Sequence, residues 1–347
     1  MNAVASYRRR TARRAAILIG LAVVVAAGLV LALMVGPLPL GADDVLRSLL
    51  RPGADPSADD VVRQLRLPPA VLAVLVGAAL SLAGAQMQVL LQNPLAEPFT
   101  LGVSAASALG AALAISAGLA LPLHPGATVP AAALAGGLTA SLVISLVSRM
   151  PGVTRETTVL LGIALVLSCQ ALLALVQYRA STESLQQIVF WSMGSLMRGR
   201  WNAVWTVGAA LAVVAPAFWV NGWRLTALSL GEQRAAAMGV DVGRTRTRGL
   251  VGVCVLASLS VAFVGVIGFI GLVGPHVARG LVGEDQRFLI PASMLCGAAL
   301  LTGAHVLSQV LVPGVAVPVG IVTALVGVPV FLAIVLGRVG VRRRAGA

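Results

Sequence analysis

The side chains that could do chemistry are few in this chain and poorly placed for it. Its three histidines, His124, His276 and His305, lie far apart and show no metal-ligand spacing. Cys169, Cys254 and Cys296 sit singly in apolar runs, where a thiol behaves as a small buried apolar group, and no disulfide framework is suggested. All 25 basic residues are arginine. Without a lysine the chain carries no standard phosphate-binding loop, so any ATP hydrolysis falls to another subunit. The long apolar runs contain neither acid nor arginine. Ion-coupled carriers usually place such groups at membrane depth, so an external motor fits better than proton coupling, and an ion-coupled secondary transporter is the alternative. An intramembrane enzyme would need paired Ser/His, Asp/Asp or His-x-x-x-His groups, and none is present. Gln86, Gln88, Gln170, His305 and Gln309 are the polar features of the runs. Two readings of them are open: hydrogen bonds between helices, or the lining of a polar pathway.

The elements that hold these residues are membrane helices. The chain is 58% hydrophobic and 11% charged, with a mean hydropathy of +0.96, whereas soluble domains carry about 25% charged residues. A net charge of +13 would suggest nucleic acid in a soluble protein. Here arginines flanking membrane spans account for it, and no nucleic-acid partner is expected.

The pattern predicts an all-α polytopic membrane protein of about ten transmembrane helices in one bundle, a single transmembrane domain over 1–347. Residues 1–14 form a basic tail, and an uncleaved first span follows over about 15–35. Residues 36–65 are a polar loop with a short helix near 42–50. Spans two and three, about 67–90 and 99–121, flank a Pro-containing turn and are expected to make a tight helical hairpin. Spans four and five cover about 130–148 and 157–178. Residues 180–202 are too polar to span and read as an amphipathic segment at the interface, where tryptophan is favoured. Span six is about 203–222. In the loop 224–248, Ser229-Leu230-Gly231-Glu232 fits a capping box, and Gly239 a helix stop, giving a short helix over 230–238. Arg244, Arg246 and Arg248 then precede span seven, about 249–266. A glycine turn leads to span eight, about 269–283, then spans nine, about 288–311, and ten, about 316–337, with Pro313-Gly314 between them and a basic tail over 338–347. This order puts 18 arginines on one side and 7 on the other, which the positive-inside rule assigns to a cytoplasmic N-terminus, C-terminus and 224–248 loop.

The stretch from Arg66 to Gly110 carries the most specific pattern. Arg66-Leu67-Pro68, the small-residue run from Gly77 to Ala85, and Gln92-Asn93-Pro94-Leu95-Ala96-Glu97-Pro98 followed by Leu101-Gly102-Val103-Ser104-Ala105 stand in order. Together they resemble the ABC-importer permeases that take up vitamin B12, haem and ferric siderophores. Gly271 to Arg279, with Pro275 and His276 inside it, and Pro318-Val319-Gly320 extend the likeness to the C-terminal region. Two readings of His276 stand: a ligand, or an imidazole bonding backbone carbonyls freed by Pro275.

The resemblance implies a non-catalytic permease in the bacterial plasma (inner) membrane. It would pair with a second copy or a paralogue, couple to cytoplasmic ATPase subunits that bind the ATP, and receive an iron chelate, haem or B12 from an extracytoplasmic binding protein. The chain itself would bind no cofactor and no metal. By the same resemblance, Ser229, Glu232, Ala235, Ala236, Gly239 and Val240 form the ATPase-coupling segment, and Arg63 and Arg66 dock the binding protein. Asn93, Pro94, Glu97, Pro98, Gly102, Pro275, His276, Arg279, Pro318 and Gly320 are structural motif residues. Pro69 and Gln309 stand where the family commonly has further arginines.

Overall fold

A computed structural model describes residues 3–36, 41–50, 56–119, 126–148, 150, 152–312 and 314–345. His124, Arg149 and Pro313 of the sequence reading lie outside these. The described residues are helical, with one isolated β-bridge between Val312 and Val315. In order the helices are α1 (Ala3–Met34), α2 (Ala42–Leu50), α3 (Pro56–Asp60) and a π-helical turn, Val61–Arg66, which runs into α4 (Leu67–Leu90). Then come α5 (Val103–Ser116), α6 (Thr128–Val147), α7 (Arg155–Arg179), α8 (Thr182–Ser192), α9 (Trp201–Val220), α10 (Gly222–Ser229) and α11 (Glu232–Ala237). The chain closes with α12 (Val242–Val264), α13 (Ile270–Val282), α14 (Gln286–Val310) and α15 (Val319–Ala345). Among the described residues seven helices are long and apolar enough to cross a membrane, and three shorter apolar helices lie in α5, α13 and α15.

The centre of the bundle is α4, packed against α14, α12, α13 and α9. Small residues set those distances. A Cβ on Gly77 would lie 2.3 Å from the carbonyl oxygen of Gly297, and one on Gly84 would lie 1.8 Å from that of Gly271. Ser81 donates to the Ser293 carbonyl at 2.6 Å. Since lipid tails are as apolar as leucine, this close backbone approach, rather than a hydrophobic drive, is what holds such helices together.

Several expectations change. The helical hairpin of spans two and three does not form: α5 packs on α6 and α7, while α12 touches both α4 and α5. The cause is the connection 91–102, a series of turns in which Gln92 (φ 48°) and Gly102 (φ 82°) are left-handed. It carries the chain away from α4 and delays α5 to Val103. The basic segment 8–14 is part of α1 rather than a tail, and Arg14 pairs with Asp285 at 3.4 Å beside the Phe288 ring. The arginines 244–248 are likewise helical, because Asp241 accepts from the Arg244 N–H at 2.9 Å and starts α12 about two turns early. At the C-terminal end α15 continues through 338–345, where a tail was expected.

Hydrogen bonds fix which segments share an end of the bundle. Arg14 with Asp285, the Gln286 N–H with Thr226 Oγ1, and Gln92 Nε2 with the Leu228 carbonyl gather the start of α1, α10 and the α13–α14 link at one end. Arg66 with Leu33, and the Ser195 N–H with the Val264 carbonyl, define the other.

Candidate coupling site

The end that carries α10 and α11 presents a short helix held off the bundle. Leu225 and Leu228 of α10 are buried in the main apolar core, and Gln92 Nε2 donates to the Leu228 carbonyl at 2.9 Å. At Ser229 α10 stops. The capping box expected there is absent: the Ser229 hydroxyl donates back to the Thr226 carbonyl at 2.7 Å, and Gly231, at φ 109°, begins α11 instead. A glycine is required at that dihedral, which side chains rarely adopt.

The other end of α11 forms as the sequence suggests. Gly239 has φ 81°, its N–H bonds the Ala236 carbonyl at 2.9 Å, and the Val240 N–H bonds the Ala235 carbonyl at 3.0 Å. This is a Schellman stop, with Gly239 in the left-handed position. Ala235 and Val240 are buried, whereas Gln233, Arg234, Ala236, Ala237 and Met238 are exposed. Glu232 turns from this exposed face and pairs with Arg246 of α12, both side chains being partly buried. Arg246 entered the sequence reading only as one of three arginines ahead of span seven, and the capping Asp241 was not singled out, although an Asp ahead of a helical run is an N-terminal signal.

Behind α10 lies a buried polar seam. Gln86 Nε2 donates to Gln286 Oε1 at 3.0 Å, and Arg279 bonds Gln88 and, at 3.2 Å, Glu284. Of the two readings for the apolar-run glutamines, Gln86 and Gln88 therefore take the interhelical one. His305 bonds Gln309 within α14 at 3.3 Å, and Gln170 is exposed on α7. His276 Nδ1 lies 2.8 Å from the Leu272 carbonyl within α13, and its ring meets Phe331 edge-on. The carbonyl that Pro275 leaves without its N–H donor belongs to Gly271, four residues back, so the imidazole bonds a different carbonyl from the one expected.

The remaining motif residues are packing devices. The Asn93 side chain accepts from the Leu95 N–H at 2.9 Å, after which Pro94 continues the turn. Glu97 is buried with Pro98 against Gly271, and Thr100 closes the turn on the Glu97 carbonyl at 2.8 Å. A Cβ on Gly102 would meet Leu165 of α7 at 2.9 Å. Just after Pro318, one on Gly320 would lie 2.2 Å from the Met193 carbonyl.

At the opposite end the two docking candidates have other uses. Arg66 is 8% exposed and donates to the Leu33 and Met34 carbonyls at 2.8 and 3.1 Å. Arg63 donates to the Ser48 and Leu49 carbonyls at 2.8 and 3.1 Å. Each guanidinium thus satisfies the orphan carbonyls at a helix C-terminus, where a cation is favoured. In the fold the Arg66 guanidinium caps the C-terminus of α1, a use separate from the docking role that the resemblance implies for it. Among the described residues no cluster of histidine, cysteine and acid could hold a metal.

Residues 21–337 match the model of the FecCD transport family. The chain belongs to that family. Among curated relatives, the Fe(3+)-citrate import system permease YfmE of Bacillus subtilis is 35% identical, with 90% of this chain and 92% of that one covered. The vitamin B12 import system permease BtuC of Vibrio cholerae is 35% identical over 94% of each chain. The hemin transport system permease HmuU of Yersinia pestis is 37% identical over 78% of this chain and 82% of that one. A solved metal-chelate type ABC transporter in an inward-facing conformation shares the fold at a TM-score of 0.82 and 32% identity, covering 92% of this chain and 99% of that one. A second solved structure, PsaBC of Streptococcus pneumoniae, matches in fold at a TM-score of 0.54 and 19% identity.

Proposed function

We propose that this FecCD-family chain is the membrane-spanning permease of a binding-protein-dependent ABC importer for an iron chelate, haem or B12. Two copies, or this chain and a paralogue, would form the pathway between them. The observation that carries the reading is the α10–α11 segment: a short helix with a buried anchor, Ala235, and an exposed face, packed beside α10 and α12 at one end of the bundle. Such a helix suits docking in a groove of a separate ATPase. The relatives named for Fe(3+)-citrate, B12 and hemin import support the substrate class. The α10–α11 end faces the cytoplasm in this proposal, the opposite end meets an extracytoplasmic binding protein, and the membrane is the bacterial plasma membrane. The chain binds neither ATP nor another cofactor; the nucleotide belongs to the ATPase.

Uptake of a labelled ferric siderophore, haem or B12 into vesicles holding the permease, its ATPase and its binding protein tests this. Accumulation of one of them should require ATP inside the ATPase-accessible compartment and survive a protonophore. Accumulation that ignores ATP and collapses with the protonophore would establish the ion-coupled alternative.

A further inference from the structure

The segment read above as the motor contact is hung in an unusual way. α11 has six residues and lies between two glycines, Gly231 at φ 109° and Gly239 at φ 81°. Neither has an atom within 4 Å of where a Cβ would sit. The Cβ side of both positions is open, and α11 is held by the burial of Ala235 and Val240 and by its cap bonds. A push on the exposed face of α11 would tilt the helix about its glycine ends unless something transfers the load.

The Glu232–Arg246 pair is placed to do that. Glu232 is in the first turn of α11, next to the Gly231 hinge, and Arg246 is in the second turn of α12. The pair bridges 14 residues of chain and is partly buried, with the Arg246 side chain 17% exposed and the Glu232 side chain 33%. Partial burial weakens screening, so the pair holds its geometry better than a surface ion pair. α12 is in turn a 23-residue helix that packs on α4, α6 and α9 and separates α4 from α5. A load on α12 therefore reaches the centre of the bundle directly.

We infer that Glu232 and Arg246 form a strut that makes α11 and the near end of α12 move as one body, so that displacement of α11 becomes displacement of α12. Both are positioning residues: they face each other rather than the ATPase. The inference rests on the proposed reading of α11 as the motor contact. It accounts for the direction in which Glu232 points, which the coupling assignment alone does not.

The test separates binding of the motor from transmission. Glu232→Gln, Arg246→Gln and the charge swap Glu232→Arg with Arg246→Glu are made in the complete transporter, and ATPase retention, ATP hydrolysis and substrate uptake are measured together. Each single variant should retain its ATPase and hydrolyse ATP, while substrate moved per ATP falls several-fold; the swap should recover most of that ratio. A merely structural role would lower abundance and leave the ratio unchanged. Singles with the wild-type ratio, or a swap that is no better than either single, would overturn the strut. Loss of the ATPase from Glu232→Gln would also overturn it, by making Glu232 a motor contact. Ala236→Pro distinguishes the underlying reading. It breaks the exposed helix itself, so an Ala236→Pro transporter that keeps its ATPase and still imports would remove α11 as the motor contact, whatever the strut variants do.

Discussion

Arg66 shows how a residue recognised by pattern acquires its role from geometry. In sequence it is a cation ahead of a span, and cations there read as surface charge. In the fold its guanidinium closes the C-terminus of α1, 33 residues away along the chain. That pairing was not legible because nothing local to Arg66-Leu67-Pro68 says where α1 ends in space. Arg66→Met keeps an unbranched apolar stem and removes the donors. The Leu33 and Met34 carbonyls would then be buried without a protein partner, and hydrogen bonds to a charged group are worth about 1.5–3 kcal/mol each. The variant should unfold at a lower temperature in detergent, while its folded fraction binds the binding protein as wild type does. Unchanged stability together with a large loss of affinity would return Arg66 to the docking surface. Gly239 is the opposite case. Its stop is a local pattern, the φ it needs is one that only glycine adopts freely, and the structure has it as read.

Among the elements, helices were legible wherever hydrophobic length decides the matter. α4, α6, α7, α9 and α14 begin and end within a few residues of the expected spans. The misses fall where backbone dihedrals or a single cap decide. α5 starts late because of the left-handed Gln92 and Gly102, α12 starts early because of Asp241, and the α4–α5 hairpin is undone because α12, distant in sequence, touches both. In α11, Gly239→Val places a β-branched residue at φ 81°, which such residues tolerate poorly. The Schellman bonds from Gly239 and Val240 should loosen and α11 fray, with loss of stable ATPase association at normal permease abundance. Gly243, by contrast, lies in the first turn of α12 with only the Asp241 carboxylate near its Cβ position, at 3.7 Å. Gly243→Ala should keep the ATPase bound, as alanine is the better helix former by about 1 kcal/mol. Retention of the ATPase by both variants would show that the left-handed cap is dispensable.

At the scale of the molecule, the arrangement gathers segments distant in the chain at each end of the bundle. Arg14 beside Asp285 and Thr226 beside Gln286 place the N-terminal arginines, the α10–α11 segment and the α13–α14 link together. By the order of spans expected from the sequence, 18 of the 25 arginines fall on the side that carries α10 and α11, and positive charge concentrates on the cytoplasmic side of membrane proteins. Exposed positions at the two ends make the orientation measurable. Arg234 on α11 and Arg47 on α2 are both open to solvent in the fold. Single cysteines at these positions, in a background with Cys169, Cys254 and Cys296 replaced by alanine, should behave oppositely toward an impermeant thiol reagent. Arg47→Cys should label in intact cells. Arg234→Cys should label only once the membrane is opened, and more slowly when the ATPase is present, since the same face of α11 is its docking surface. Labelling of Arg234→Cys from outside intact cells would invert the molecule and with it the side from which a motor could push on α12.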